Sequence, residues 1–130
     1  MSKTTWLSRS LIVCAYNYCL SLSEKQMYAA CKKANLPVSE WPHVWAKKNG
    51  ATCHFYDDEK LCFVGISDTA DHTLEQIYSL LAHEAVHIWQ KHKQMIGEFE
   101  PGHEIEAYSI QAITHELMVS FREQGGPYKA

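Results

Sequence analysis

No stretch of the chain reaches the 18 or more consecutive apolar residues that a membrane-spanning helix needs. Neither sign of charge dominates: 12 Lys and Arg against 15 Asp and Glu give a formal net charge of −3 and a pI near 6.2. That balance supplies no electrostatic footprint for nucleic acid or an anionic membrane. The short clusters Lys47-Lys48 and Lys91-His92-Lys93 read as solvated helix surface. The five cysteines are an odd number and include no C-x-x-C pair. This argues against a disulfide framework and a cysteine zinc site, and fits a reducing compartment. Buried, inert thiols are the expectation for them. Lys3 and Arg9 precede a short apolar run at 11–15, but Asn17 soon breaks the polarity pattern and no small-x-small cleavage site follows. A secretory leader is therefore not expected, and the cytoplasm is the expected location.

What is present suits a single domain. The 130 residues can build one core but not two, and 46% apolar with 21% charged residues is ordinary for a globular chain. Tyr16, Tyr18, Leu20 and Leu22 alternate with Asn17, Cys19 and Ser21, which predicts a strand beginning near Leu11. Ser23 followed three residues later by Gln26 has the form of a capping box. It opens a helix with the apolar stripe Met27, Ala30, Cys31 and Ala34, closed by Leu36-Pro37. A short second helix is expected over 39–48, with Trp41 and Trp45 on one packed face and Asn49-Gly50 as its end. Residues 51–56 and 61–66 flank Asp57-Asp58-Glu59-Lys60 and read as a hairpin, with Gly65 suggesting a bulge or strand end. A long helix over about 73–94 and a last one over about 103–123, terminated by Gly125-Gly126-Pro127, complete the pattern. The expected fold class is α+β: one domain over 1–130, with a small antiparallel sheet of about three strands packed with about four helices.

The chemistry lies in the long helix, where His83, Glu84 and His87 form His-Glu-x-x-His. At helical spacing His83 and His87 share one face a turn apart and can chelate a single Zn2+ ion. Glu84 sits about 100° round the helix, within reach of a water beside such an ion. The surrounding residues (Leu80, Leu81, Ala82, Ala85, Val86, Ile88, Trp89) are apolar on nearly every side, which predicts a buried segment. Two imidazoles and a carboxylate are costly there unless paired or metal-bound.

Hydrolytic zinc sites usually take three protein ligands. Glu104 and Glu106 on the last helix are the candidates. The positions three, four, seven and eleven beyond Glu106 are Ser109, Ile110, Ile113 and Leu117, an inward stripe, whereas those beyond Glu104 are Ala107, Tyr108, Gln111 and His115. Helical phase favours Glu106. His103 is a weaker alternative ligand. The other histidines (43, 72 and 92) are expected to be exposed or satisfied side chains.

His83-Glu84-x-x-His87 followed after eighteen residues by Glu106 resembles the gluzincin metallopeptidases, a branch of the HExxH zincins. The pair Glu106-Ala107 is similar to the third-ligand dipeptide of thermolysin-like enzymes. A hairpin just before the motif helix resembles the zincin edge strand that lines up extended substrate. The stretch Gly97-Glu98 to Tyr108 also resembles small, mostly uncharacterised metallopeptidase-like proteins of bacteriophages, for which the compartment would be the host cytoplasm. The resemblance implies a minimal zincin-like domain and one Zn2+ ion held by His83, His87 and Glu106. It implies Glu84 as general base, and a peptide or protein as substrate. Two departures stand out. Ile110 occupies the place where thermolysin-like enzymes carry an Asp that orients the first ligand histidine, and their acidic helix-loop region is missing. Such enzymes also use a Tyr or His to stabilise the oxyanion. Tyr108 faces away from Glu106, and His54, Tyr56 and His115 are not assignable from sequence. Two other classes compete with the hydrolase: a catalytically silent zinc-containing binding or regulatory protein, and a metal-free helical core. Glu84 speaks against the first of these, since a purely structural zinc site needs only ligands.

Overall fold

The computed structural model describes residues 5–6, 15–98 and 100–130. The start of the first expected strand, 11–14, lies outside the described residues. Strand β1 covers Asn17–Ser21, and all of it except Asn17 is buried. Tyr18 and Leu20 enter one core, and Cys19 enters another on the opposite face. The period-two alternation therefore separates two cores rather than core from solvent.

Helix α1, Glu24–Lys33, starts where Ser23 accepts a hydrogen bond from the Gln26 N–H at 3.1 Å. The Gln26 side chain reaches back to the Leu22 N–H at 2.8 Å, one residue beyond the partner a capping box would use. Residues 39–48 do not form the expected helix. Only Val38–Glu40 makes a 3-10 turn, and Trp41 is extended because the ring of Pro42 disfavours helical backbone before it. Trp41 stacks on Tyr28 with ring centroids 5.3 Å apart and donates from Nε1 to the Leu36 carbonyl. Among the described residues the α-helices accordingly number three.

Strands β2 (Ala51–Tyr56) and β3 (Leu61–Ile66) form the expected antiparallel hairpin, with Ala51 opposite Ile66 and Tyr56 opposite Leu61. The sheet order is β1-β3-β2, and β1 runs parallel to β3. The sheet is thus mixed, not wholly antiparallel, because α1 and the segment after it carry the chain back before the hairpin begins. Gly65 sits in unbroken register with Ser21 and Thr52, so it marks no bulge. A Cβ there would lie 2.4 Å from the Trp45 carbonyl oxygen, and close approach of backbone is what selects glycine.

Helix α2, Leu74–Met95, begins with a complete Thr73/Gln76 capping box and packs Ile77, Leu81, Ala85, Ile88 and Trp89 against the sheet and α3. Helix α3, His103–Glu123, closes the same core with Ile113, Leu117 and Phe121. Its last turn is a Schellman motif: the Gly126 N–H bonds the Phe121 carbonyl, the Gly125 N–H bonds that of Arg122, and Gly125 takes a φ of +68°. The layers are α1, the sheet, and the α2–α3 pair, an α+β fold. No helix among the described residues is long and apolar enough to cross a membrane.

His92, on the inner side of α2, is buried, and its Nδ1 accepts the Ala15 N–H at 2.9 Å. Burial holds its pKa below the ordinary histidine value, as it also does for His54. Above pH about 6.5 the ring is neutral in both the folded and unfolded chain. Below that pH the unfolded chain takes up the proton first, so stability falls until the lowered folded-state pKa is passed. Denaturant melts between pH 7.5 and 5 are expected to show this loss, and His92→Gln should shallow the slope. An identical slope in both proteins would remove His92 from the account and leave His54.

Candidate metal centre

Helix α2 turns its motif towards the edge strand β2. His83 and His87 project from the outer side of the helix, and the His83 side chain is 67% exposed. The segment is buried on one side only, not nearly all round as its apolar composition predicts. The buried arc is Leu81, Glu84, Ala85, Ile88 and Trp89, and the two histidines fall outside it. The cost of desolvation falls instead on Glu84, which is only 4% exposed.

The two Nε2 atoms lie 3.1 Å apart, and the rings meet edge-on with centroids 4.7 Å apart. Glu84 Oε2 is 4.0 Å from His83 Nε2. Zinc–imidazole bonds of about 2.0–2.1 Å would span such a pair at a nitrogen–metal–nitrogen angle of roughly 100°, close to tetrahedral. The pair therefore fits one cation. Without one, the same approach accommodates a single shared proton, one Nε2–H pointing at the other lone pair.

Two cavities border the site. One of about 340 Å³ lies between Cys53 and Phe55 of β2 and His83, Glu84 and His87. A second, of about 510 Å³, shares Ala51, His83 and Glu84 and extends along the first turns of α2 to Gln76 and His72. β2 and α2 thus form the two walls of a trough with Glu84 in its floor. The Cys53 thiol donates to the Glu84 carbonyl at 3.7 Å, tying wall to floor. Its pKa is pushed well up, first by the hydrogen bond to Cys62 and then by burial, so it stays a neutral thiol.

Glu106 goes elsewhere. Its carboxylate accepts from Trp89 Nε1 at 2.7 Å and from Lys93 Nζ at 3.4 Å. The Trp89 bond, then the Lys93 ammonium, hold its pKa below the usual carboxylate value. The inward phase expected of Glu106 is found: Ile113 and Leu117 are buried, while Ala107, Tyr108, Gln111 and His115 on the Glu104 side are exposed. Trp89 and Lys93, however, lie about 200° and 240° round α2 from His87. The stripe leads to the far side of the helix, and the structure does not bring Glu106 to the histidine pair. Among the described residues no group of three or more His, Cys, Asp and Glu is arranged to hold a metal.

The side chains considered for the oxyanion lie elsewhere, and His103 is exposed at the start of α3. His54 Nε2 lies 2.8 Å from the Trp45 carbonyl, Tyr56 donates to the Glu40 carbonyl, and His115 and Tyr108 are exposed on α3. Burial pushes Tyr56 up to about 12. None of the four lines the cavity between β2 and the pair. Gln90, which no motif marks, places its Oε1 3.2 Å from His87 Nδ1. The i, i+3 spacing was the available signal. Comparisons of the chain with protein-family models, with curated proteins and with solved structures find no match.

Proposed function

We propose that the chain is a zinc-dependent metallopeptidase in which His83 and His87 bind the metal and Glu84 is the general base. The observation that carries this reading is the buried Glu84 carboxylate, 4.0 Å from one of two imidazoles whose Nε2 atoms converge to 3.1 Å. A carboxylate placed there without a cation or substrate to serve would be a burden on the fold. A bound zinc ion would supply a more acidic water and polarise the scissile carbonyl. Glu84 would take the proton from that water and return it to the leaving amine. Among the described residues β2 is an edge strand of the sheet and walls the trough, and an extended peptide can add to such an edge.

A second reading, a zinc-binding protein that cleaves nothing, is favoured by the engagement of Glu106 with Trp89 and Lys93. To serve as third ligand Glu106 would have to give up both. Glu106→Gln is expected to lower the melting temperature while leaving zinc affinity within about twofold. A fall in affinity of more than about tenfold, the size seen when a metal loses a supporting group, would show that α3 does supply the third ligand in the metal-bound protein.

The test of the function itself combines metal content with cleavage of a mixed peptide library. The expected result is about one equivalent of zinc and cleavage that a chelator abolishes. Less than about 0.2 equivalents of tightly held zinc would end both readings in favour of a metal-free helical core. Zinc without cleavage would establish the silent binder.

A further inference from the structure

We infer that Gln90 is the positioning residue that fixes His87 as an Nε2 ligand. The inference rests on the metal site proposed above and concerns how the chain prepares it. A neutral imidazole carries one proton, and the nitrogen that bears it cannot bind a metal. His87 Nδ1 lies 3.2 Å from Gln90 Oε1, an acceptor, so the proton belongs on Nδ1. Nε2 is then left as a lone pair, and it is the nitrogen that faces His83. A chain of contacts follows: the Gln90 carbonyl accepts from His87 Nδ1–H, and His87 Nε2 accepts from His83 Nε2–H. His87 is thereby ready to bind before any metal arrives.

His83 is not. In that arrangement its Nε2 holds the proton, and its Nδ1 has no hydrogen-bond partner among the described residues. Metal binding requires His83 to move its proton from Nε2 to Nδ1, through solvent, which its exposure permits. The two ligands are therefore unequal: one is held by a neighbour a turn along its own helix, the other is recruited. Supporting partners of this kind typically change metal affinity by 10- to 100-fold. Gln90 is itself exposed, so its replacement removes the orientation without opening the core.

The test begins with metal-free protein at pH 8, where long-range proton–nitrogen NMR identifies the tautomer of each histidine. His87→Ala assigns the signals. In the wild type His87 is expected to be the Nδ1–H form and His83 the Nε2–H form. Gln90→Leu should return His87 to a mixture dominated by Nε2–H, weaken zinc binding by about 10-fold or more and leave the melting temperature unchanged. Gln90→Glu, which keeps an acceptor at the same reach, should restore the Nδ1–H form and the affinity. A wild-type His87 already in the Nε2–H form would overturn the inference, as would a Gln90→Leu protein with unaltered tautomer or unaltered zinc affinity. Failure of the wild type to bind zinc would sink the metallopeptidase reading instead, while the metal-free tautomers would still decide what Gln90 does.

Discussion

Glu84→Gln is expected to lower kcat/KM for peptide cleavage by about 10²- to 10⁴-fold, the usual contribution of a positioned general base. Zinc content should be unchanged, because the metal reading assigns binding to His83 and His87. The substitution keeps size and shape, so the packing of Glu84 over Cys53 and its place in the floor of the trough survive. It also removes a carboxylate that is 4% exposed. Removing an unpaired buried charge relieves its desolvation cost, so the melting temperature should hold or rise. Steady-state kinetics, metal analysis and a thermal melt on one preparation read all three quantities. Activity that persists in Glu84→Gln would remove the assigned base. Activity lost together with stability would recast Glu84 as a structural group.

Gly65→Ala carries the largest expected effect on stability, about 3 kcal/mol or roughly 10 °C in melting temperature for a domain of this size. The new Cβ would meet the Trp45 carbonyl oxygen at 2.4 Å, and the Met27 Cε and Trp45 Cε3 atoms at 3.0 Å each. The first obstacle is backbone and cannot swing aside. That carbonyl is also held by His54 Nε2 at 2.8 Å, so displacing it breaks a second contact. The damage should spread to the trough, since Lys47, Asn49 and Gly50 follow Trp45 directly and line the larger cavity. Calorimetry of the two proteins decides the matter, and a loss below about 1 kcal/mol would mean that the segment around Trp45 yields easily.

Legibility from the sequence followed the range of the interactions. Both long helices could be read because their signals are local, as with the Gly125-Gly126-Pro127 end of α3. The hairpin was legible for the same reason, with 51–56 and 61–66 flanking a polar tetrad. What failed was long-range or backbone-bound. Parallel pairing of β1 with β3 has no mark in either strand. The helix expected at 39–48 took its support from Trp41 and Trp45 spacing, and Pro42 outweighed it. At the site, apolar composition predicted burial of the whole motif, but of His83, Glu84 and His87 only Glu84 is inside. Phase placed Glu106 correctly on the inner face of α3. It could not say which side of α2 that face would meet, because that depends on how the helices cross.

The ties from β1 and the first turn of α1 to the second half of α3 bear on the order in which the chain can fold. Tyr18 donates to Glu116 at 2.6 Å, Gln26 to Gln124 at 2.7 Å, and Gln124 to the Leu20 carbonyl at 2.9 Å, across separations of 98 to 104 residues. The same face of β1 is covered by Leu117 and Phe121. During synthesis β1 therefore emerges with half of its surroundings still unmade, and the hairpin and α2 appear before the helix that seals them. Such distant contacts slow closure, because the loop between them must be ordered before they form. The histidine side of α2 faces β2, which is made before it, whereas the core face of the same helix is sealed only once Ile113, Leu117 and Phe121 of α3 have followed.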